Sequence, residues 1–94
     1  MKSESKIETA VCKYAKENGF YVRKFSSPSN RGVPDRIFIS PCGKWFCIEF
    51  KAPKKKATAL QEREIKLIEK NSGKCYVVDD YTQGKDIIDA HIHF

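Results

Sequence analysis

Trp45-Phe46-Cys47-Ile48-Glu49-Phe50-Lys51 is the stretch on which the fold turns. Aromatic and β-branched residues dominate it, so it reads as a strand, and in a strand side chains two apart share a face. Phe46, Ile48 and Phe50 then form one apolar face, while Glu49 and Lys51 share the other. A strand backed by three large apolar residues sits in a core, where a carboxylate and an ammonium carried in without purpose would be costly. The pair marks the place to look for chemistry.

Upstream, Arg36-Ile37-Phe38-Ile39-Ser40 reads as a second strand, joined to the first by Pro41-Cys42-Gly43-Lys44, whose Pro and Gly suit a tight turn. Phe20 to Phe25 is aromatic and β-branched enough for another strand, and Ser26 to Gly32 is a polar loop holding Pro28, Asn30 and Gly32. Before these, Ser5-Lys6-Ile7-Glu8 has the form of a capping box. Ile7, Ala10, Val11, Tyr14 and Ala15 follow at helical spacing up to the stop signal Asn18-Gly19. Downstream, Thr58-Ala59-Leu60-Gln61 repeats the capping-box pattern and opens a helix ending near Asn71-Ser72-Gly73, with Leu60, Ile65, Leu67 and Ile68 expected on its inner side. Cys75-Tyr76-Val77-Val78 is a short apolar run suited to a buried strand, and a right-handed crossover makes it parallel to a strand of the hairpin. The segment from Thr82 to Phe94 is expected to hold a short helix through Ile87 and Ile88 and a terminal strand. The fold class is α/β: an αβββαβ core with a mixed central sheet flanked by helices, as one domain over residues 1–94.

The chain has 94 residues, 40% hydrophobic and 32% charged, a length and balance that suit one folded core and exclude a disordered or membrane-embedded chain. Eighteen Lys and Arg against twelve Asp and Glu give a net charge of +6. Such an excess draws polyanions, which makes nucleic acid the leading partner; the alternative is a merely solubilising surface. Cys12, Cys42, Cys47 and Cys75 form no Cys-x-x-Cys pair, so reduced structural cysteines in a cytoplasmic setting are expected. The polar stretch from Met1 to Glu8 and the lack of a long apolar span indicate neither secretion nor a membrane partner.

Asp35 follows Gly32-Val33-Pro34 at the start of its strand, and hairpin pairing brings it towards Glu49. Two carboxylates, completed by waters and phosphate oxygens, suit Mg²⁺ or Mn²⁺. Such an ion stabilises charge on a scissile phosphate and acidifies a bound water, and Lys51 can orient that water or stabilise the developing charge. The Glu-x-Lys spacing occurs three times, but residues two apart on a helix do not share a face. Only Glu49-Phe50-Lys51 lies in a strand and follows a Pro-Asp. A structural salt bridge is the other reading of the pair. Gln61 and Glu8 both fall at the N3 position of a capping box, so each is either a site residue or a cap. Arg31, Arg36, Lys44 and the run Lys54-Lys55-Lys56 are expected to flank the site and to grip phosphates without reading sequence; for the lysine run a solvated connection is the alternative. His91 and His93 lie two apart but lack a third ligand for a metal. Trp45, Phe46 and Phe50 are expected in the core rather than stacked on bases.

Gly32-Val33-Pro34-Asp35, then Glu49-Phe50-Lys51, then Gln61 at the start of the following helix resembles the virus-type replication-repair nuclease (VRR-NUC) branch of the PD-(D/E)xK superfamily, over Glu8 to about Val78. The resemblance implies that Asp35 and Glu49 bind the metal, that Lys51 is the catalytic lysine and that Gln61 completes the site. Glu8 matches an acid that related nucleases supply from their first helix, reaching the metal through water. It implies further a Mg²⁺- or Mn²⁺-dependent DNA endonuclease selective for structure, working as a homodimer on Holliday junctions or other branched DNA, in a bacterial or phage-infected cell. A catalytically inactive DNA-binding module on the same fold is the alternative, and an interaction domain with an incidental basic surface is a third.

Overall fold

The computed structural model describes residues 3–92. Its elements are α1 (Glu4–Glu17), β1 (Tyr21–Lys24), β2 (Arg36–Ile39), β3 (Trp45–Phe50), α2 (Ala59–Lys70), β4 (Cys75–Val78) and α3 (Tyr81–Ala90). The sheet order is β1-β2-β3-β4; β1, β2 and β3 run antiparallel in turn, and β4 lies parallel to β3, as the helical crossover requires. The β2–β3 turn closes with Gly43 at φ +87° and Ser40 N–H donating to the Lys44 carbonyl at 2.9 Å. Gly43 takes a backbone conformation that other residues resist.

The face of β3 carrying Phe46, Ile48 and Phe50 is buried, and it meets Phe38 of β2, Val22 of β1 and Val78 of β4. Phe38 and Phe46 stack with ring centroids 5.1 Å apart, and Phe20 meets Phe46 edge-on. α1 and α3 pack on each other and cover this face through Ile7, Val11, Ala15 and Ile88. They come close because position 84 is glycine: a Cβ there would lie 2.5 Å from Val11 Cγ2. α2 lies on the opposite side, over β4.

Three expectations are corrected. The N-cap of α1 is Ser3, whose side chain accepts from Lys6 N–H at 3.2 Å, and not Ser5. The earlier start puts Glu4 in the first turn, against the positive end of the helix. On α2, Leu60 and Leu67 are about half exposed, while Gln61, Ile65 and Ile68 turn inward. A hydrogen bond from Gln61 to the sheet fixes the rotation of the helix. Finally, the C-terminal helix forms as expected, but residues 91–92 make a turn, and the rest of the expected terminal strand lies outside the described residues. His91 belongs to the core margin, with its ring 4.3 Å from that of Phe46.

All four cysteines are free, and burial pushes the thiols of Cys12 and Cys75 up to about 11 and about 12, which makes them inert. Among the described residues no helix is long and apolar enough to cross a membrane.

The α1–α3 contact gives a direct test of packing. Gly84→Ala should destabilise the fold by about 1–3 kcal/mol through overpacking against Val11, read as a lower urea midpoint at unchanged slope.

Candidate active site

The register Arg36↔Ile48 places Asp35, one step further along the ladder, across from Glu49. Two hydrogen bonds hold Asp35 there. Its carbonyl accepts from Phe25 N–H at 2.9 Å, and its Oδ2 accepts from Phe50 N–H at 2.8 Å, so the carboxylate takes the place of the next ladder acceptor. The turn that delivers it is tight. Gly32 has φ +87°, and a Cβ on it would meet the Leu60 carbonyl oxygen at 2.7 Å, so this loop rests directly on the start of α2.

Glu49 is 3% exposed. Its Oε2 accepts from Gln61 Nε2 at 2.6 Å and lies 3.5 Å from Lys51 Nζ, while its Oε1 is buried with no hydrogen-bond partner. Burial first, and then the charge of Asp35, push the Glu49 carboxyl up to about 7 against the opposing pull of Lys51. Asp35 is raised as well, chiefly by burial; the hydrogen bond from Phe50 opposes the shift. Two neighbouring carboxylates in a desolvated corner, with one part-buried ammonium 3.5 Å from Glu49, lack positive charge. An orphaned buried oxygen is the form that this deficit takes. Among the described residues no three His, Cys, Asp or Glu side chains converge as a ligand set. The donors present therefore fit a hard cation that takes two carboxylate oxygens and keeps several waters, which is the habit of Mg²⁺ and of octahedral Mn²⁺ sites.

Gln61 closes the cap and also reaches Glu49. Its Oε1 accepts from Thr58 N–H at 2.8 Å and closes the capping box, while its Nε2 holds Glu49. Glu8 is not a cap: with Ser3 at the N-cap its carboxylate is free to bind Arg36, Oε2 to Nε 2.6 Å. Arg36 is thereby engaged, and Glu8 sits near enough to Asp35 to raise its pKa further.

The other expected phosphate contacts are dispersed. Arg31 is exposed and lines a cleft of about 190 Å³ with Ser29, Asn30, Leu60, Arg63 and Glu64, next to the start of α2. Arg63 was not anticipated; its position one turn into α2, beside the loop of Arg31, follows only from the docking of that loop. Lys54, Lys55 and Lys56 are exposed after β3, where Lys54 N–H donates to Asp79 at 3.0 Å and takes φ +68°. Lys44 does not flank the site: it lies in the β2–β3 turn at the other end of the hairpin, five residues or about 17 Å of strand from Glu49. Trp45 is not core either, being 64% exposed, because it begins β3 on the face away from α1 where α2 does not reach. His91 packs against Phe46 and faces the Ile87 carbonyl; His93 lies outside the described residues.

No protein-family model matches the sequence. Over 61 residues the chain is 43% identical to the protein named Putative nuclease p44 of Acyrthosiphon pisum secondary endosymbiont phage 1, a match that takes in 65% of this chain and 66% of that one, slightly under two thirds. A solved structure described as a VRR_NUC domain shares the fold at a TM-score of 0.86 over 95% of this chain and 97% of its own length, with 26% identity. The chain has the fold of a VRR-NUC domain. Within this VRR-NUC fold, Asp35, Glu49, Lys51 and Gln61 converge at one end of the β2–β3 hairpin, while Arg36 is tied to Glu8 and Lys44 stands apart.

The two halves of the capping box can be separated. Thr58→Ala removes the hydroxyl that accepts from Gln61 N–H, keeps the backbone N–H that donates to Gln61 Oε1, and should cost about 1 kcal/mol without altering the Glu49 environment. Gln61→Ala should cost more in stability and shift the Glu49 titration, followed by carboxyl ¹³C chemical shift.

The raised pKa also carries a sign. In chelator the native state holds a proton on Glu49 between its ordinary 4.5 and about 7 that the unfolded chain has released. Stability must then fall as pH rises through that window, by about 3 kcal/mol. Glu49→Gln should flatten the slope and be the more stable protein at pH 8 in urea titrations.

Proposed function

We propose that this protein is a metal-dependent DNA endonuclease of the PD-(D/E)xK type. The observation that carries the reading is the Glu49 carboxylate, buried across from Asp35 with one oxygen unpaired and Lys51 beside it. Asp35 and Glu49 are the residues that would hold Mg²⁺ or Mn²⁺. When bound, such an ion neutralises charge on the scissile phosphate and lowers the pKa of a coordinated water.

The chain's own residues do the rest. Two backbone hydrogen bonds fix Asp35 before substrate arrives, so its orientation costs nothing at the moment of reaction. Gln61 pins Oε2 of Glu49 and leaves Oε1 for the cation. Lys51, 13% exposed, carries the ammonium that would meet the phosphate undergoing attack. Glu8, held by Arg36, stands behind Asp35, where it can act through water. Arg31 and Lys54 to Lys56 are exposed cations on loops next to the site, suited to hold the DNA backbone on either side of the cut.

The finer reading is that the substrate is branched DNA, a Holliday junction among others, cut by a homodimer whose two-fold axis matches two symmetric strands. The resemblance to VRR-NUC domains and the phage relative support it, as they support a setting in the cytoplasm of a bacterium or a phage-infected host.

Cleavage of labelled four-way junction, flap and linear duplex DNA with Mg²⁺, Mn²⁺ or chelator tests both levels. The expected result is metal-dependent cutting near the branch, reduced by about a hundredfold or more in Asp35→Ala and Glu49→Ala. Near-normal cutting by a folded Asp35→Ala protein, or binding without cutting under any metal, contradicts the proposal.

A further inference from the structure

The face that β3 turns away from the core runs from Trp45 through Cys47 to Glu49, so the site occupies only one end of it. Across the ladder, Ile39 stands opposite Trp45, and on the next strand Tyr21 stands opposite Ile39. α2 lies over β4, and its Ile68 reaches no further than a cleft of about 180 Å³ beside Ile37, Cys47 and Trp45. Among the described residues no helix covers the β1–β2 part of this face. Trp45 is left 64% and Tyr21 49% exposed, two aromatic rings on an open sheet where burial would be favourable.

The charges beside these rings are positive, and the acids of the same face, Asp35 and Glu49, lie at its other end in the site. The Arg23 guanidinium lies over the Tyr21 ring, 4.2 Å from its centroid, and Lys44 adjoins Trp45 in the chain. A second copy docked symmetrically here would bring like charges together. A polyanion with free π faces matches the surface: aromatic rings take stacked bases and the cations take phosphates. In a duplex the base faces are already stacked on each other, so only an unpaired strand can use the rings. Trp45 is four residues, about 13 Å, from Glu49 along β3, near enough for one strand to reach both.

We propose that the open face of β1, β2 and β3 is a stacking platform for an unpaired stretch of the DNA substrate, with Trp45 and Tyr21 against the bases and Arg23 and Lys44 at the phosphates. This rests on the nuclease reading above and adds to it a preference for single strand beside duplex.

Trp45 is the chain's sole tryptophan, so its fluorescence reports on the platform directly. The intact protein is titrated in chelator, where no cutting occurs, with oligothymidylate and with duplex of the same length, and labelled-oligonucleotide anisotropy is measured for wild type, Trp45→Ala and Trp45→Phe. The expected result is quenching by the single strand, about tenfold weaker single-strand binding in Trp45→Ala, recovery of most of that loss in Trp45→Phe, and little change for duplex. Single-strand binding with unaltered Trp45 emission and unaltered Trp45→Ala affinity overturns the platform while leaving the nuclease reading intact. So does conversion of a dimer to a monomer by Trp45→Ala at unchanged single-strand affinity, which would make the face a self-association surface. Failure to bind either DNA overturns both readings.

Discussion

Burial of the Glu49 carboxylate between β3 and α2, with only half of its hydrogen-bonding capacity met, is the condition to which the surrounding structure is fitted. A buried carboxylate is tolerated when it is paired, protonated or bound to a cation. Lys51 at 3.5 Å and Gln61 at 2.6 Å give partial compensation at one oxygen only. Asp35 across the ladder makes the deficit larger, not smaller. The Phe46, Ile48 and Phe50 face on the other side of the same strand anchors the β3 backbone in the core, and Gln61 and Lys51 hold the carboxylate inward from it.

The elements around β3 each supply one constraint on that corner. The short β2–β3 turn fixes the register, and the register puts Asp35 opposite Glu49. Gly32 lets the preceding loop lie against the first turn of α2, so Asp35 and Gln61 are set relative to each other by backbone contact rather than by long side chains. The helix that crosses over to β4 brings Gln61 in by its N-terminus, where the same amide both closes the cap and grips the carboxylate. Cap and site are thus one feature, which joins the stability of α2 to the geometry of the site.

Much of this could be read in the residues. The alternation of Phe46, Ile48 and Phe50 with Glu49 and Lys51 is a period-two signal strong enough to locate the inner strand and its two faces. The Pro41 to Lys44 turn fixed the hairpin, and the Asn71-Ser72-Gly73 stop before an apolar run of four fixed the crossover. What escaped was what depends on coverage. Nothing local says that Trp45, two residues before Cys47 on the same face, falls beyond the reach of α2, or that Leu60 and Leu67 stand at the margin of that helix. The pairing of Glu8 with Arg36 joins residues 28 apart through the packing of α1 on the sheet, and the choice between Ser3 and Ser5 as cap decided whether Glu8 was free for it. Lys44 is expected to flank the site as a loop residue beside β3, but the strand puts that loop and Glu49 at opposite ends.

The central claim is that Asp35 and Glu49 form a site for a hard divalent cation, and calorimetric titration with Mn²⁺ in two buffers of different ionisation enthalpy near pH 6 tests it most directly. A cation must displace the proton that a carboxyl titrating at about 7 still holds at that pH. The account predicts binding with release of about one proton in the wild type, and the loss of both in Asp35→Ala. Absence of Mn²⁺ binding by the folded wild type, or binding with no proton released and no dependence on Asp35, would contradict it.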